Sequence, residues 1–489
     1  MRVCTGFAFV ALLVVSAVSA AAGTSPPAPP PPPSPPPLFA CDFVSQYNET
    51  ATQVLDNGTL EPATQTLANI RWGESDLTAG YWQAALDRRY PAGTRFRIDG
   101  QFPDARYFAF TYNAGSVNSP QQITDYQVVP NNGSASPFVN RMSRSTSIPP
   151  GGRYSVHIVY GTRPQQLAPN TIYVDPNDFA GQTATDSSGN YTAYPLISYR
   201  VYASTHGLAV GAHGNVPLPT FVEETPQGDI PVATIAPTSS QCQWWNGGLQ
   251  NLARFGIGIF AAINTYLEQQ PAEAAPIVPT APVPAPLFTV YNPGVPSSFQ
   301  YAVNLDSRYI YSYITPTAGD LVLLRGRAPA YSSPAGSSGQ LRHWSVCENA
   351  TAIVTGYQTY ACVEDEDTSV DADGFFNIVI SIPSKRPQNA TPANGFQWLN
   401  FGTTTRAVVV YRQMLASPTF AQAAVNVPAA QDQNPRLVMG DYLPVATYCE
   451  KPLFDALTGA GQTPAQVFAA CLQQSQTPPP PPPTTGSSG

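Results

Sequence analysis

The chain has 489 residues and a formal net charge of −8, and only 11% of its positions are Asp, Glu, Lys or Arg, against about 25% in a typical globular protein. Ser, Thr, Asn, Gln and Tyr fill the gap, and no Lys/Arg cluster appears, which argues against a nucleic-acid partner because such a partner needs a basic footprint. The length allows two domains of ordinary size.

Residues 1–22 read as a secretory signal peptide. Arg2 supplies the positive start, Phe7 to Val18 the apolar core, and Val18-Ser19-Ala20 or Ala20-Ala21-Ala22 the small residues for cleavage. The core is shorter than the roughly 20 residues that cross a bilayer. No later segment is apolar for long enough, so no transmembrane segment is expected after cleavage.

Residues 23–38 hold the run Pro26-Pro27-Ala28-Pro29 to Pro33, Ser34, Pro35 to Pro37. Proline has no backbone donor and a fixed φ, so this segment predicts an extended polyproline II rod. A second run, Pro478 to Pro483, lies in the proline-rich tail at 475–489. The Ser-Pro-Pro-Pro pattern resembles the hydroxyproline-rich glycoproteins of green-algal and plant extracellular matrices. That resemblance implies hydroxylated, glycosylated, stiffened rods and matrix association.

Between the rods the same β unit occurs twice. Ala92-Gly93-Thr94-Arg95-Phe96-Arg97-Ile98-Asp99-Gly100 lies over Ala318-Gly319-Asp320-Leu321-Val322-Leu323-Leu324-Arg325-Gly326 without a gap. Arg106-Tyr107-Phe108 matches Arg342-His343-Trp344. Gly152 to Ile158 matches Gly374 to Ile380, and Leu196 to Tyr202 matches Val408 to Met414. Four blocks in the same order predict a mainly β protein of two tandem antiparallel β-sandwich, jelly-roll-like domains related by internal duplication. The first spans 39–240 and the second 288–474. Phe96, Ile98, Val156 and Ile158 should face the first core. A helix and a Pro/Ala-rich linker are expected at 241–287, with Leu249, Leu252, Phe255, Ile259, Ile263 and Tyr266 at helical spacing. Short helical segments are expected near 418–427 and 463–474.

Signal cleavage removes Cys4 and leaves six cysteines, an even number suited to disulfides in a secreted chain. The expected bridges are Cys347–Cys362 across a hairpin, Cys449–Cys471 at the C-terminal segment and Cys41–Cys242. Acceptor sequons for N-glycosylation stand at Asn48, Asn57, Asn132, Asn190, Asn349 and Asn389.

The recurring Tyr-Arg steps, Tyr199-Arg200 and Tyr411-Arg412, are the first binding candidates. An arginine inside a strand must face solvent or find a partner, and its fixed donors suit a carboxylate or sugar hydroxyls. Occurrence in both copies favours an inherited ion pair over a ligand contact. His343 and Trp344 join the list because aromatic faces beside donors suit carbohydrate, although Trp344 fits the core better. His206 and His213 do not match a metal-ligand spacing. The acidic stretch Glu364-Asp365-Glu366-Asp367 and Asp371-Ala372-Asp373-Gly374 reads as turns rather than a calcium loop. No nucleophile elbow, zinc-protease motif, phosphate loop or dinucleotide fingerprint is present, so no catalytic residue, metal or cofactor is assigned.

Phe102 to Phe110, Leu196 to Tyr202 and Tyr411 to Leu415 resemble a family of uncharacterised secreted proteins known mainly from bacterial and algal genomes. The resemblance implies secretion and a duplicated β architecture, and it transfers no site. These readings together point to a secreted, non-enzymatic extracellular-matrix or cell-wall glycoprotein, with cell-wall polysaccharide or matrix glycoproteins as partners. The alternative is a secreted protein that binds or processes polysaccharide.

Overall fold

The computed structural model describes residues 40–45, 52–54, 60–62, 76–86, 90–114, 118–181, 195–203, 214–232, 234–235, 286, 288–291, 304–315, 318–332, 339–352, 356–402, 407–428 and 434–476. The expected signal peptide, first proline rod, linker helix, Cys41–Cys242 bridge, His206 and His213 lie outside the residues or side chains described. So do the sequons at Asn48, Asn57 and Asn190.

Among the described residues, four sheets carry the fold. In the first half, β1 (Ala40–Ser45), β4 (Ala79–Leu86), β6 (Ala105–Ala114), β7 (Asn118–Thr124), β10 (Pro195–Ala203) and β13 (Thr234–Ile235) form a sheet in the order β13-β1-β4-β10-β6-β7. Facing it are β5 (Arg95–Gln101), β8 (Arg153–Tyr160), β9 (Thr171–Val174), β11 (Thr220–Thr225) and β12 (Gly228–Pro231), in the order β12-β11-β5-β8-β9. The second half repeats this plan. Strands β14 (Thr289–Tyr291), β15 (Ser307–Ile314), β17 (Leu341–Ala352), β18 (Gly356–Glu364) and β21 (Ala407–Ala416) run β14-β15-β21-β17-β18. The opposing sheet, β20-β19-β16-β22, comprises β16 (Leu321–Arg327), β19 (Phe375–Ser381), β20 (Gln397–Asn400) and β22 (Val445–Cys449).

The duplication read from sequence is therefore a duplication of strand order. It extends to the exceptions: β8–β9 and β19–β20 are both parallel pairs in mainly antiparallel sheets. Gly100 pairs with Tyr154, and Gly326 with Phe376. Each glycine leaves room for the ring on the neighbouring strand, because an added Cβ would sit 2.5 Å from the Tyr154 hydroxyl or 2.7 Å from the Phe376 ring. Those rings begin equivalent aromatic clusters. Tyr154 stacks on Phe108 at 5.5 Å, and Phe110 stacks on Tyr199 at 4.9 Å. Trp344, Phe376 and Tyr411 meet at 5.4–5.9 Å. The rings span the space between sheets, and offset or edge-on contacts suit their quadrupoles.

One difference between halves follows from what covers the outer face. Along β5, Phe96 and Ile98 are buried while Arg95, Arg97 and Asp99 turn away from the core, the alternation of a strand with one wet face. At the matching positions β16 carries Leu321 and Leu323, which are also buried. The helices α2 (Lys451–Gly459) and α3 (Pro464–Gln476) supply the second apolar layer, burying Phe454, Val467 and Phe468 with Leu321, Leu323 and Trp398. Helix α3 extends past the expected segment end, and α2 had no counterpart in the sequence reading. The Cys449–Cys471 disulfide ties β22 to α3. A single turn of helix, α1 (Arg436–Met439), precedes β22, and the 418–427 region contributes only a 3-10 turn at Ala424–Asn426.

The halves are not segregated along the chain as expected. Strands β2 (Thr52–Val54) and β3 (Leu60–Pro62) fall in the stretch assigned to the first sandwich, yet they extend the β18 edge of the second.

Candidate functional site

A turn precedes the first main strand of each half. Asp76-Leu77-Thr78 enters β4, and Asn304-Leu305-Asp306 enters β15. Both turns are built alike. The Asp76 and Asn304 amides each donate to the tyrosine five residues on, Tyr81 or Tyr309, at 3.3 Å. Their side-chain Oδ1 atoms accept from the amides of Thr78 and Asp306. Asx side chains close such turns by mimicking the backbone.

Each turn docks on the opposite half. Asp76 enters the second sandwich, where its Oδ2 accepts from Ser345 Oγ at 2.7 Å and Arg412 Nη1 at 3.0 Å and lies 3.2 Å from His343 Nε2. Leu77 packs on the Cys347–Cys362 disulfide. In return, Asp306 enters the first sandwich. Its Oδ2 lies 2.9 Å from Tyr107 Oη and 2.7 Å from Gln122 Nε2, and accepts from Thr124 Oγ1.

The two arginines ahead of these seats cross over in the same reciprocal way. Arg106 Nη2 donates to the Arg342 carbonyl and Arg342 Nε to the Arg106 carbonyl, both at 2.9 Å. Arg106 holds Asp365 through two bonds, at 2.5 and 3.0 Å, and Arg342 holds Asp125 at 2.9 Å. Asp125 also accepts from the Phe108 amide and Asp365 from the Trp344 amide. The halves thus meet across an approximate two-fold seam whose polar groups are buried and largely paired, as burial of charge requires.

The seam shifts its titrating groups. Burial pushes the Asp76 carboxyl up, but hydrogen bonding to His343 and the Arg412 charge outweigh it and hold Asp76 well below its ordinary value. Burial, then the Asp76 charge, pushes Glu364 well above its ordinary value. Burial lowers His343, but the Asp365 charge outweighs it and leaves the imidazole raised. Asp76, His343 and Glu364 bring one ligand atom each within 4.8 Å of one another, as do Asp76, Cys347 and Cys362, whose sulfurs are committed to a disulfide. Arg412 and Ser345 already occupy Asp76 Oδ2, and the guanidinium charge opposes a cation there. The set is therefore a poor fit for a metal ion.

The binding candidates from sequence are closed off. Tyr199, Arg200, His343, Trp344, Tyr411 and Arg412 are all exposed by 2% or less. Arg412 is an ion-pair residue of the seam. Arg200 donates to Thr111 Oγ1 at 2.7 Å. Trp344 is core, with its indole N–H on the Pro329 carbonyl. A sugar reaching any of these six would have to displace packed side chains. Asn349 is also closed off as a glycan acceptor: it is fully buried, its amide donates to the carbonyls of Cys347 and Val408, and it accepts from Thr359 Oγ1. Asn132 is exposed, and Asn389 is half-buried with its amide on Thr458. Residues 365–367 do form a turn, but Glu364 and Asp365 point inward. Sequence reasoning missed Asp76, Asp125 and Asp306. The available signal was the parallel between Asp-Leu-Thr and Asn-Leu-Asp ahead of the two tyrosine-bearing strands.

No family model matches the chain, and no curated protein matches it. It is similar to the solved structure of an uncharacterised protein from Burkholderia cenocepacia, at 14% identity and a TM-score of 0.42, over 76% of this chain and 81% of that one. A protein from Vibrio parahaemolyticus matches at 11% identity and a TM-score of 0.35, over 76% of this chain and 89% of that one. The B domain of a biofilm associated protein matches at 9% identity and a TM-score of 0.18, over 77% of this chain and 71% of that one. Likeness at these levels transfers no activity. Among the described residues, no helix is long and apolar enough to cross a membrane.

Proposed function

We propose that the protein is a secreted, non-enzymatic glycoprotein of an extracellular matrix or cell wall, a double sandwich whose sequence is preceded and followed by proline-rich segments. One observation carries the reading: the side chains best suited to chemistry, Asp76, His343, Glu364, Asp365 and Arg412, are spent joining the halves and are sealed from solvent. Secretion, wall association and glycosylation rest on the signal-like start, the proline runs and the exposed Asn132. Fractionating cells that express the full chain tests this. The expected result is recovery from the wall or medium, with glycan on Asn132 and none on Asn349. Recovery of unmodified protein from the cytosol overturns it. A second reading, polysaccharide binding or processing, is favoured by one feature, a solvent-facing cleft lined by Arg141 and Arg308.

A further inference from the structure

We propose that this cleft is a binding site for the carboxylate of a small organic acid of about one sugar ring, such as a uronic acid unit. It has a volume of about 220 Å³ and is bordered by Arg141, Leu305, Asp306, Arg308, Leu415 and Val425. The inference does not depend on where the protein resides.

The two guanidiniums set this cleft apart from the seam. Arg106, Arg342 and Arg412 each hold an aspartate. Arg141 and Arg308 have no ion-pair partner among the described residues. Arg141 Nε donates to the Ala416 carbonyl at 3.3 Å, and Arg308 Nη1 to the carbonyls of Leu305 and Ser307 at 3.4 and 2.9 Å. Arg308 Nε is buried with no hydrogen-bond partner. Burial, joined by the Arg141 charge, holds the Arg308 guanidinium below its ordinary range even though Tyr309 and Asp306 act the other way. Asp306 borders the cleft, but Tyr107, Gln122 and Thr124 converge on its Oδ2. Two cations facing one cleft, with one already engaged carboxylate, leave a positive site. An incoming anion relieves that repulsion.

The cleft also shows asymmetry that structure alone does not demand. The position equivalent to Arg308 in the first half is Gly80, where an added Cβ would sit 2.1 Å from the Trp82 ring. The basic side chain therefore belongs to one face of the seam only and is not required by the shared fold. Guanidinium forks match the planar geometry of carboxylate. Leu305, Leu415 and Val425 add an apolar wall suited to one face of a ring, and the volume limits the ligand to about that size.

The test is calorimetric titration of the full chain with D-galacturonate, D-galactose and inorganic phosphate. Saturable binding of galacturonate, and none of galactose, is expected. Arg141→Gln should weaken it about tenfold or more, the effect of losing one charge-assisted hydrogen bond. Val425→Glu, on the exposed rim, should abolish it while leaving the unfolding midpoint unchanged, so a folding defect in the first variant does not obscure the result. Galactose binding as tightly as galacturonate, phosphate binding more tightly than either, no saturable heat with galacturonate, or wild-type affinity in both variants each overturns the proposal.

Discussion

The two seats at the seam solve one backbone problem with different chemistry. In the first half, position 111 of β6 pairs with position 122 of β7, and Thr111 Oγ1 donates to Gln122 Oε1 at 2.8 Å. At the matching ladder position of the second half, Cys347 pairs with Cys362 and the hydrogen bond becomes a disulfide. The incoming turns differ to match. Leu305 N donates to Gln122 Oε1 at 3.0 Å, whereas Leu77 lies on the sulfurs. The carboxylate also moves from the first residue of one turn, Asp76, to the third of the other, Asp306. One seat therefore combines a covalent bond with buried ion pairs, while the other surrounds its carboxylate with neutral donors. A shared backbone docking fixes which atoms must be satisfied and leaves open how. The ionic seat is the one that a single substitution damages most, because removing one member strands a buried charge.

The largest expected effect tests that statement. Arg412→Met should destabilise the protein by about 3–5 kcal/mol, since Asp76 is left beside Glu364 and Asp365 without its cation. Denaturant unfolding measures this, and adding Asp76→Asn should recover much of the loss. A single variant with an unchanged midpoint would show that the seat is not ionic in its energetics. Next, Cys347→Thr with Cys362→Gln imports the pair used by the other half. It should cost about 2–4 kcal/mol, and a neutral outcome would make the two seats energetically interchangeable. Where the halves are alike, effects should be alike: Gly100→Ala and Gly326→Ala should each cost about 1–3 kcal/mol through the same ring displacement. A large gap between their midpoints would break the structural equivalence.

The mildest test is titration, and it separates two aspartates at matching positions. Burial is the largest influence on Asp125, and with the Asp306 charge it outweighs Arg342 and pushes the carboxyl up to about 6. Burial also acts on Asp365, but Arg106 and His343 outweigh it and hold that carboxyl below its ordinary value. The signs are opposite. For Asp125 the folded state holds its proton longer, so its contribution is present below 3.8 and is lost as pH rises to about 6. For Asp365 the contribution is present above the ordinary value and is lost on acidification through the lowered one. Asp125→Asn should flatten the falling stretch of the stability profile between 3.8 and about 6. Carboxyl chemical shifts that place both aspartates together would remove the distinction.

The sandwiches were legible because strands repeat locally. Phe96 and Ile98 alternate with charged residues, and Gly100 and Gly326 mark the same close approach, so the period and the punctuation sit within a dozen residues. The buried role of Trp344 and the bridges Cys347–Cys362 and Cys449–Cys471 were readable for the same reason. The seam was not legible. Arg106 meets Asp365 259 residues away, and no local pattern specifies so distant a partner. Residues 365–367 of the acidic stretch form the turn read from sequence, while Glu364 ends β18, and the neighbour relation to Asp76 depends on docking. Helix α2 was missed because Lys451-Pro452-Leu453 looks like a loop until the doubly apolar β16 reveals that something must cover it.

The exchange of entry turns also has a consequence in time. Asp76 is synthesised 336 residues before Arg412. At ribosomal speeds of about 5–20 residues per second, it waits roughly 17–70 s for its counter-ion. Throughout that interval the first sandwich can form its sheets, but its share of the seam stays wet and unpaired. Contacts of such long range arrive last and slow the final step. A truncated or stalled product thus displays an unmet set of charged and aromatic groups that the finished chain hides, giving any folding-surveillance factor a direct measure of completion.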